Sequence, residues 1–335
     1  MKKTILLIFP GIIIIGVAAA WWLATDIQRQ LQLPLALYTP TILKIKPGTS
    51  LTALTNEIVS RGWLPHPYYL IFEGRRRGLA TSIKAGEYEL KPGITPMALL
   101  DRVVAGKVIQ YSLTIPEGWT FKQIIDFVEN SDELERTLGS LKPEYIMQEI
   151  GATGQLPEGR FFPETYHFPA GTTDVQFLRR AYETMQSTLM EEWRHRVITL
   201  PYRTPYEALI MASIIEKETA LPEERGKIAG VFVRRLQRGI KLQTDPTVIY
   251  AMGATFDGNI RQQDLSIDSP YNTYLIKGLP PTPIAAPGRA SIRAALHPEE
   301  GSALYFVATG DGRHHFSNTL PEHKRAVAKY QLKTR

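Results

Sequence analysis

Two carboxylates two positions apart, Glu216 and Glu218, close an apolar run that reads TPYEALIMASIIEKET from Thr204 to Thr219. A carboxyl held against apolar surface loses solvation, so its pKa rises until it can give and take a proton near neutral pH. On a helix these two side chains diverge by about 200°, and they cannot serve one site equally. Glu218 follows Met211 by seven residues, Ile214 by four and Ile215 by three, so it prolongs the apolar stripe, whereas Glu216 falls beneath Ala212 and Ser213. This spacing favours Glu218 as the acid–base group. The plainer alternative is a helix-end acid paired with Lys217 or Arg225.

Other chemistries have weaker support. The chain has no cysteine, which excludes disulfides, thiolate metal sites and a cysteine nucleophile. None of its seven histidines lies in an H-E-x-x-H pattern. His314 and His315 stand near Ser317, but no G-x-S-x-G elbow and no evident acid partner accompany them. Neither a metal nor a cofactor is expected.

The elements that must position Glu218 follow from local signals. Thr204 caps the helix, Pro205 suits its first turn, and Glu207 places negative charge near its N-terminus. Gln243, Thr244 and Asp245 precede Pro246, which disfavours helix at Asp245 and presents the three on a loop or strand end. Asp245 is either the cap of the helix that Pro246 begins or a substrate contact. Tyr271, Asn272 and Tyr274, in the run SPYNTY, offer aromatic faces and an amide suited to sugar rings and N-acetyl groups. Such a turn points the two tyrosines to opposite sides, so one of them should pack into the core. Phe161, Phe162 and Glu164, in FFPETY, could line the same groove, and Glu164 is the leading second carboxylate for a hydrolase. Asp311-Gly312 reads as a hairpin turn between strands at Tyr305–Ala308 and His314–Phe316.

Three segments are expected along the 335 residues: 1–25, 40–111 and 112–335. The run Thr4–Ala24 carries no charge, and its 21 residues would rise roughly 31 Å as a helix, enough to span a bilayer. Lys2 and Lys3 should stay in the cytoplasm, with Trp21 and Trp22 at the outer interface. A cleaved signal peptide is the rival reading, since Ala18 and Ala20 offer a small-residue site. The formal charge of +6 is spread along the chain rather than gathered in a stripe, which argues against nucleic-acid binding. From Thr41 the pattern gives a strand at Ile42–Ile45, a helix to about Ser60, a second helix at Pro67–Gly78 and a strand at Ile83–Leu90. Thr95 then caps a helix at Pro96–Ala105, and a strand at Val108–Ile115 leads out.

The order strand, helix, helix, strand resembles a LysM-like module, a fold associated with N-acetylglucosamine-containing glycans. A plain spacer is the alternative. Ala212-x-Ile214-x-x-x-Glu218-Thr219 resembles the Glu-Ser signature of lysozyme-type lytic transglycosylases, with Thr for Ser. EKET at 216–219 continues into Glu224-Arg225, V-F-x-x-R-L at 231–236 and LQTDPTVIY at 242–250. SPYNTY at 269–274, GLPPTPI at 278–284, His297-Pro298, LYFV at 304–307 and GRHHFS at 312–317 follow. Together these resemble the endolytic murein transglycosylase family (MltG, YceG-like) over nearly the whole chain.

That resemblance implies an α+β protein with an N-terminal transmembrane helix, a LysM-like α/β module and a larger catalytic domain containing a lysozyme-like helix. It implies non-hydrolytic cleavage of the β-1,4 bond between N-acetylmuramic acid and N-acetylglucosamine within glycan strands. One carboxyl, at Glu218, would protonate the leaving oxygen and then take a proton from the muramyl 6-hydroxyl, closing a 1,6-anhydro ring. Glu216 matches a neighbouring position read as structural. The site would lie outside the cytoplasm on a single-pass inner-membrane protein, with peptidoglycan synthases (penicillin-binding proteins) as partners. A muramidase-type hydrolase and a non-catalytic glycan-binding scaffold are the alternatives.

Overall fold

A computed structural model describes residues 2–332, with side chains described from Ile14 onward. The chain separates into two compact units. One comprises the residues up to Tyr111 together with His167–Gly171. The other comprises Ser112–Tyr166 and the chain from Thr172.

The first unit runs α1 (Lys2–Gln32), β1 (Thr41–Ile45), α2 (Leu51–Ser60), α3 (Tyr68–Arg76), β2 (Gly86–Leu90) and α4 (Pro96–Ala105). β1 and β2 pair antiparallel, Leu43 opposite Tyr88. Ser50 and Thr95 cap α2 and α4 by accepting from the backbone N–H groups of Ala53 and Ala98. The core gathers Leu43, Leu54, Ile58, Tyr88, Leu90 and Leu99, and the end of α1 joins it through Ile27 and Leu31.

Much of the apolar run Thr4–Ala24, whose span was expected, precedes Ile14, so its first side chains lie outside those described. From Ile14 to Leu23 the large apolar side chains are exposed, Trp21 at 71% and Trp22 at 65%. Among the described residues no helix is long and apolar enough to cross a membrane.

β3 (Gln110–Thr114) pairs with β4 (Thr165–Pro169). The second unit contains α5 (Phe121–Glu129), α6 (Pro143–Glu149), α7 (Asp174–Arg194), α8 (Pro205–Glu218), α9 (Pro222–Gln237), α10 (Asp245–Met252) and α11 (Arg289–Leu296). It closes with β5 (Tyr305–Ala308), β6 (His314–Ser317) and α12 (Leu320–Tyr330). β5 and β6 form an antiparallel hairpin, Phe306 opposite Phe316.

α8 is the centre of this unit. Thr204 accepts from the Glu207 N–H, and Pro205 occupies the first turn. Every residue from Ala208 to Ile215 is buried. A helix apolar on all sides has no exposed stripe to extend, so the placement of Glu218 comes from its neighbours rather than from an amphipathic face. Those neighbours are α11, which packs most extensively against α8, and α9 and α10. Ser213 is fully buried; its hydroxyl donates to the Ile210 carbonyl at 2.7 Å and accepts from the Ile284 N–H at 3.0 Å. That bond fixes the loop before α11 against the middle of α8. Glu158, also buried, accepts from the Phe121 N–H and the Tyr250 hydroxyl, each at 2.9 Å, tying α5 to α10.

Candidate active site

Glu218 ends α8 at the wall of a cavity of about 460 Å³. Thr244, 2% exposed, donates its hydroxyl to Glu218 Oε2 at 2.5 Å. Neither Lys217 nor Arg225 pairs with Glu218: Lys217 Nζ donates to the Gly118 carbonyl, and Arg225 stands 4.0 Å from Glu216. Burial raises the Glu218 carboxyl, opposed by the Thr244 bond, helped by the Asp245 charge and opposed again by His314 and Arg235. The balance leaves its pKa at about 7. A carboxyl tuned to that value holds a transferable proton at neutral pH.

Gln243, Asp245 and Tyr274 line the same cavity. Gln243 has φ 50°, the only left-handed non-glycine residue among those described. Such strain is held only where the surroundings over-determine it, and here the Gln243 N–H donates to the Thr273 carbonyl. Asp245 begins α10 directly after Thr244, and no side chain caps that helix. Its Oδ1 instead accepts the Tyr274 hydroxyl at 2.5 Å. Burial and that bond both raise the Tyr274 phenol, which therefore stays protonated.

The other four sequence-derived candidates lie elsewhere. Tyr271 packs against the core, its hydroxyl 2.8 Å from the Thr282 hydroxyl and its ring 4.8 Å from that of Tyr250. Asn272 is fully buried. Its amide donates to the Leu265 and Ile267 carbonyls and its oxygen accepts from the Tyr274 N–H, so it braces the loop and has no face for a sugar. Phe161 is fully buried and stacks on Phe121. Glu164 has an exposed side chain, lines neither cavity that includes Glu218, and uses its backbone carbonyl to accept from Ile115. Tyr271 is thus the tyrosine of SPYNTY that packs into the core, while Asn272, Phe161 and Glu164 stand apart from the cavity because residue type alone does not fix which side chains the fold leaves facing it.

Two residues of this cavity were not singled out for it in the sequence. Arg235, buried on α9, donates from Nε to the Leu304 carbonyl at 2.7 Å and from one Nη to those of Lys241 and Leu242. It fastens α9 to the start of the hairpin and to the loop before α10 that carries Gln243. His314 on β6 has the acid partner that the sequence did not reveal: Glu224 accepts from its ring Nδ1 at 2.7 Å and from its backbone N–H at 2.9 Å. The two are 90 positions apart, and both stand within runs already noted, Glu224-Arg225 and GRHHFS. Ser317, once a possible partner, is buried, and its hydroxyl makes no hydrogen bond among the described residues.

A second cavity, about 450 Å³, also reaches Glu218 and is lined besides by Glu117, Gly118, Glu216, Lys217 and Arg225. Glu216 accepts the Gly288 N–H at 3.0 Å. Desolvation, then the Glu216 charge, hold the Glu117 carboxyl above the usual range, against Arg225. A Cβ at Gly288 would stand 1.8 Å from Glu117 Oε1, so any side chain there would push the Glu117 carboxyl aside. The two acids at the C-terminal end of α8 thus diverge as helical geometry requires, Glu218 toward Thr244 and Glu216 toward Gly288.

The family model described as YceG-like matches residues 43–329. The chain belongs to the YceG-like family. A Bacillus subtilis (strain 168) protein named endolytic murein transglycosylase is 31% identical over 315 residues, covering 87% of this chain and 85% of that protein. A protein of the same name from Streptococcus pneumoniae (strain D39) is 29% identical over 320 residues, or 85% of this chain and 57% of the longer pneumococcal chain. The crystal structure of a YceG-like protein from Listeria monocytogenes superposes with a TM-score of 0.56 at 31% identity, covering 86% of this chain and 99% of that one.

In this YceG-like site the Asp245 charge helps to keep Glu218 protonated. Asp245→Asn should therefore lower the Glu218 pKa and move the alkaline limb of the pH–activity profile to lower pH. Profiles measured side by side would check this; an unmoved alkaline limb would show that Asp245 does not act on Glu218.

Proposed function

We propose that this chain is an endolytic lytic transglycosylase that cuts peptidoglycan strands between N-acetylmuramic acid and N-acetylglucosamine, leaving 1,6-anhydro-muramyl ends. The observation that carries the reading is the Glu218 carboxyl, held by the Thr244 hydroxyl on the wall of a cavity that also holds Gln243, Asp245 and Tyr274, where desolvation raises its pKa. A protonated carboxyl can protonate the glycosidic oxygen as the bond to C1 breaks. The muramyl 6-hydroxyl then closes on C1 and no water is consumed. The names of the Bacillus and pneumococcal relatives agree with this substrate and reaction. Gln243, Asp245 and Tyr274 are assigned to substrate contact.

The remaining assignments rest on sequence pattern. The β1–α2–α3–β2 order supports a LysM-like, glycan-facing role for the first unit. The apolar run Thr4–Ala24 supports attachment to the inner membrane, placing the site outside the cytoplasm where nascent strands and their synthases lie. The alternative of a muramidase-type hydrolase now leans on Asp245, which shares the cavity, instead of Glu164. Purified peptidoglycan digested by the full chain in detergent, beside Glu218→Gln, tests the reading. Internal fragments with anhydro ends, absent with the variant, are expected. Release of disaccharides from strand ends alone would contradict endolytic cleavage, and no cleavage by either folded protein would favour a glycan-binding scaffold.

A further inference from the structure

Arg225 is a nearly buried cation without a hydrogen bond. Its side chain is 14% exposed, and Glu216 Oε1 stands 4.0 Å from one Nη, beyond hydrogen-bond reach. Nε is buried and unpaired, and no guanidinium nitrogen makes a hydrogen bond among the described residues. A guanidinium carries five N–H groups, and leaving them unpaired away from water is costly, so the acceptor has to come from outside the chain. Arg225 lines the cavity of about 450 Å³ that also reaches Glu218. Most other polar groups there are taken. Lys217 Nζ donates to the Gly118 carbonyl, Glu216 Oε2 accepts the Gly288 N–H, and the Thr219 hydroxyl accepts the Leu221 N–H. The exposed Glu117 carboxyl is the exception, with no hydrogen bond among the described residues. One unbonded donor group and one unbonded acceptor therefore share the cavity.

The lining narrows what fits. With Glu218 protonated, Glu117 and Glu216 offset Lys217 and Arg225, so no net formal charge is left to attract an anion or a cation. Among the described residues no aromatic ring lines the cavity and Ala220 is its only apolar side chain, so neither a sugar face nor an acetyl methyl finds a seat. A secondary amide matches, because it offers a carbonyl to the guanidinium and an N–H to a carboxylate. Resting on the transglycosylase reading, we infer that this cavity takes the peptide arm of the muramyl residue at the scissile bond, Arg225 donating to an amide carbonyl of that arm and Glu117 accepting an amide N–H. The arm hangs from O3 of the same ring whose C1 is cut, so a cavity that reaches Glu218 lies within its range. Glu117 and Lys217 are exposed, which lets the distal part of the arm leave toward solvent. Arg225 then selects strands that carry peptides, through binding and not through the bond-breaking step.

The test compares the full chain with Arg225→Ala on intact strands, on strands stripped of stem peptides by an amidase, and on strands whose acetamido groups are deacetylated. On intact strands the variant should lose about 10–100-fold in kcat/KM, carried by KM with kcat nearly unchanged. That gap should close on stripped strands and persist on deacetylated ones. Strand affinity in the Glu218→Gln background, read on the same substrates, gives the gap where turnover is too slow. Arg225→Lys keeps a charge beside Glu216 but lacks the fork, and its gap should close in the same way, which carries the test if the alanine variant does not fold. A gap of equal size on all three substrates would overturn the inference, since Arg225 would then serve the fold alone. A gap that widens on stripped strands would overturn it in favour of a carboxylate site, and one that closes only on deacetylated strands in favour of the acetamido group. Wild type that makes no anhydro ends from intact strands would overturn the transglycosylase reading itself.

Discussion

Glu218→Gln is expected to lower strand cleavage by about 10²–10⁴-fold, the range that a positioned acid contributes. The amide keeps the volume of the carboxyl, and its oxygen can still accept the Thr244 hydroxyl, so the geometry of the site should survive. The same change should make the protein more stable in alkali. Glu218 has a folded pKa of about 7 against an ordinary value of 4.5, and burial is the largest cause. A raised acid contributes stability that is fully present below about pH 4.5 and lost as pH rises through about 7. The ionised carboxyl at pH 8 therefore costs at most about 3 kcal/mol, less what solvent at the cavity mouth returns. Glu218→Gln should melt a few degrees above the parent at pH 8 and level with it near pH 4. Thermal melts at both pH values, read with the turnover assay, check the two halves together. Full turnover in the variant would remove Glu218 from the chemistry, and a melting difference independent of pH would remove its raised pKa.

Arg235→Leu carries the largest expected loss of stability. The guanidinium is buried and is shared among three backbone carbonyls, those of Leu304, Lys241 and Leu242. Removing it leaves buried acceptors unpaired, and such losses amount to about 3–5 kcal/mol. The melting temperature of the second unit should fall on the order of 10 °C. Arg235→Lys should recover little, because an ammonium cannot reproduce the planar fork that reaches both the hairpin and the loop carrying Gln243. Denaturant unfolding of both variants measures the effect. A loss below about 1 kcal/mol would mean that water replaces the guanidinium at those carbonyls.

Local chemistry was readable in advance and distant packing was not. Thr95 and Thr204 announced their helices because a cap and the proline after it act within four residues. The hairpin at Tyr305–Ala308 followed equally from its turn. That Glu216 and Glu218 meet different surroundings followed from helical geometry alone, whereas the choice of Glu218 as the acid–base group rested on the apolar stripe. The apolar-stripe argument for it did not carry over, since α8 is buried on every side from Ala208 to Ile215. Asn272 and Phe161 looked suited to a glycan by residue type, yet Asn272 is taken up in bracing its own loop and Phe161 is buried against Phe121, 40 positions away. Glu224 and His314 lay in plain view as residues. Only the fold, by seating the hairpin against α9, brings them within 2.7 Å.

Digestion of purified peptidoglycan by the full chain in ¹⁸O-labelled water, followed by mass analysis of the new ends, tests the central reading most directly. Anhydro-muramyl ends, lighter by one water than reducing ends and free of ¹⁸O, are expected, because the 6-hydroxyl of the sugar itself closes on C1. Reducing ends carrying ¹⁸O would show that water attacks instead, making the protein a hydrolase with Asp245 as the carboxylate to examine next.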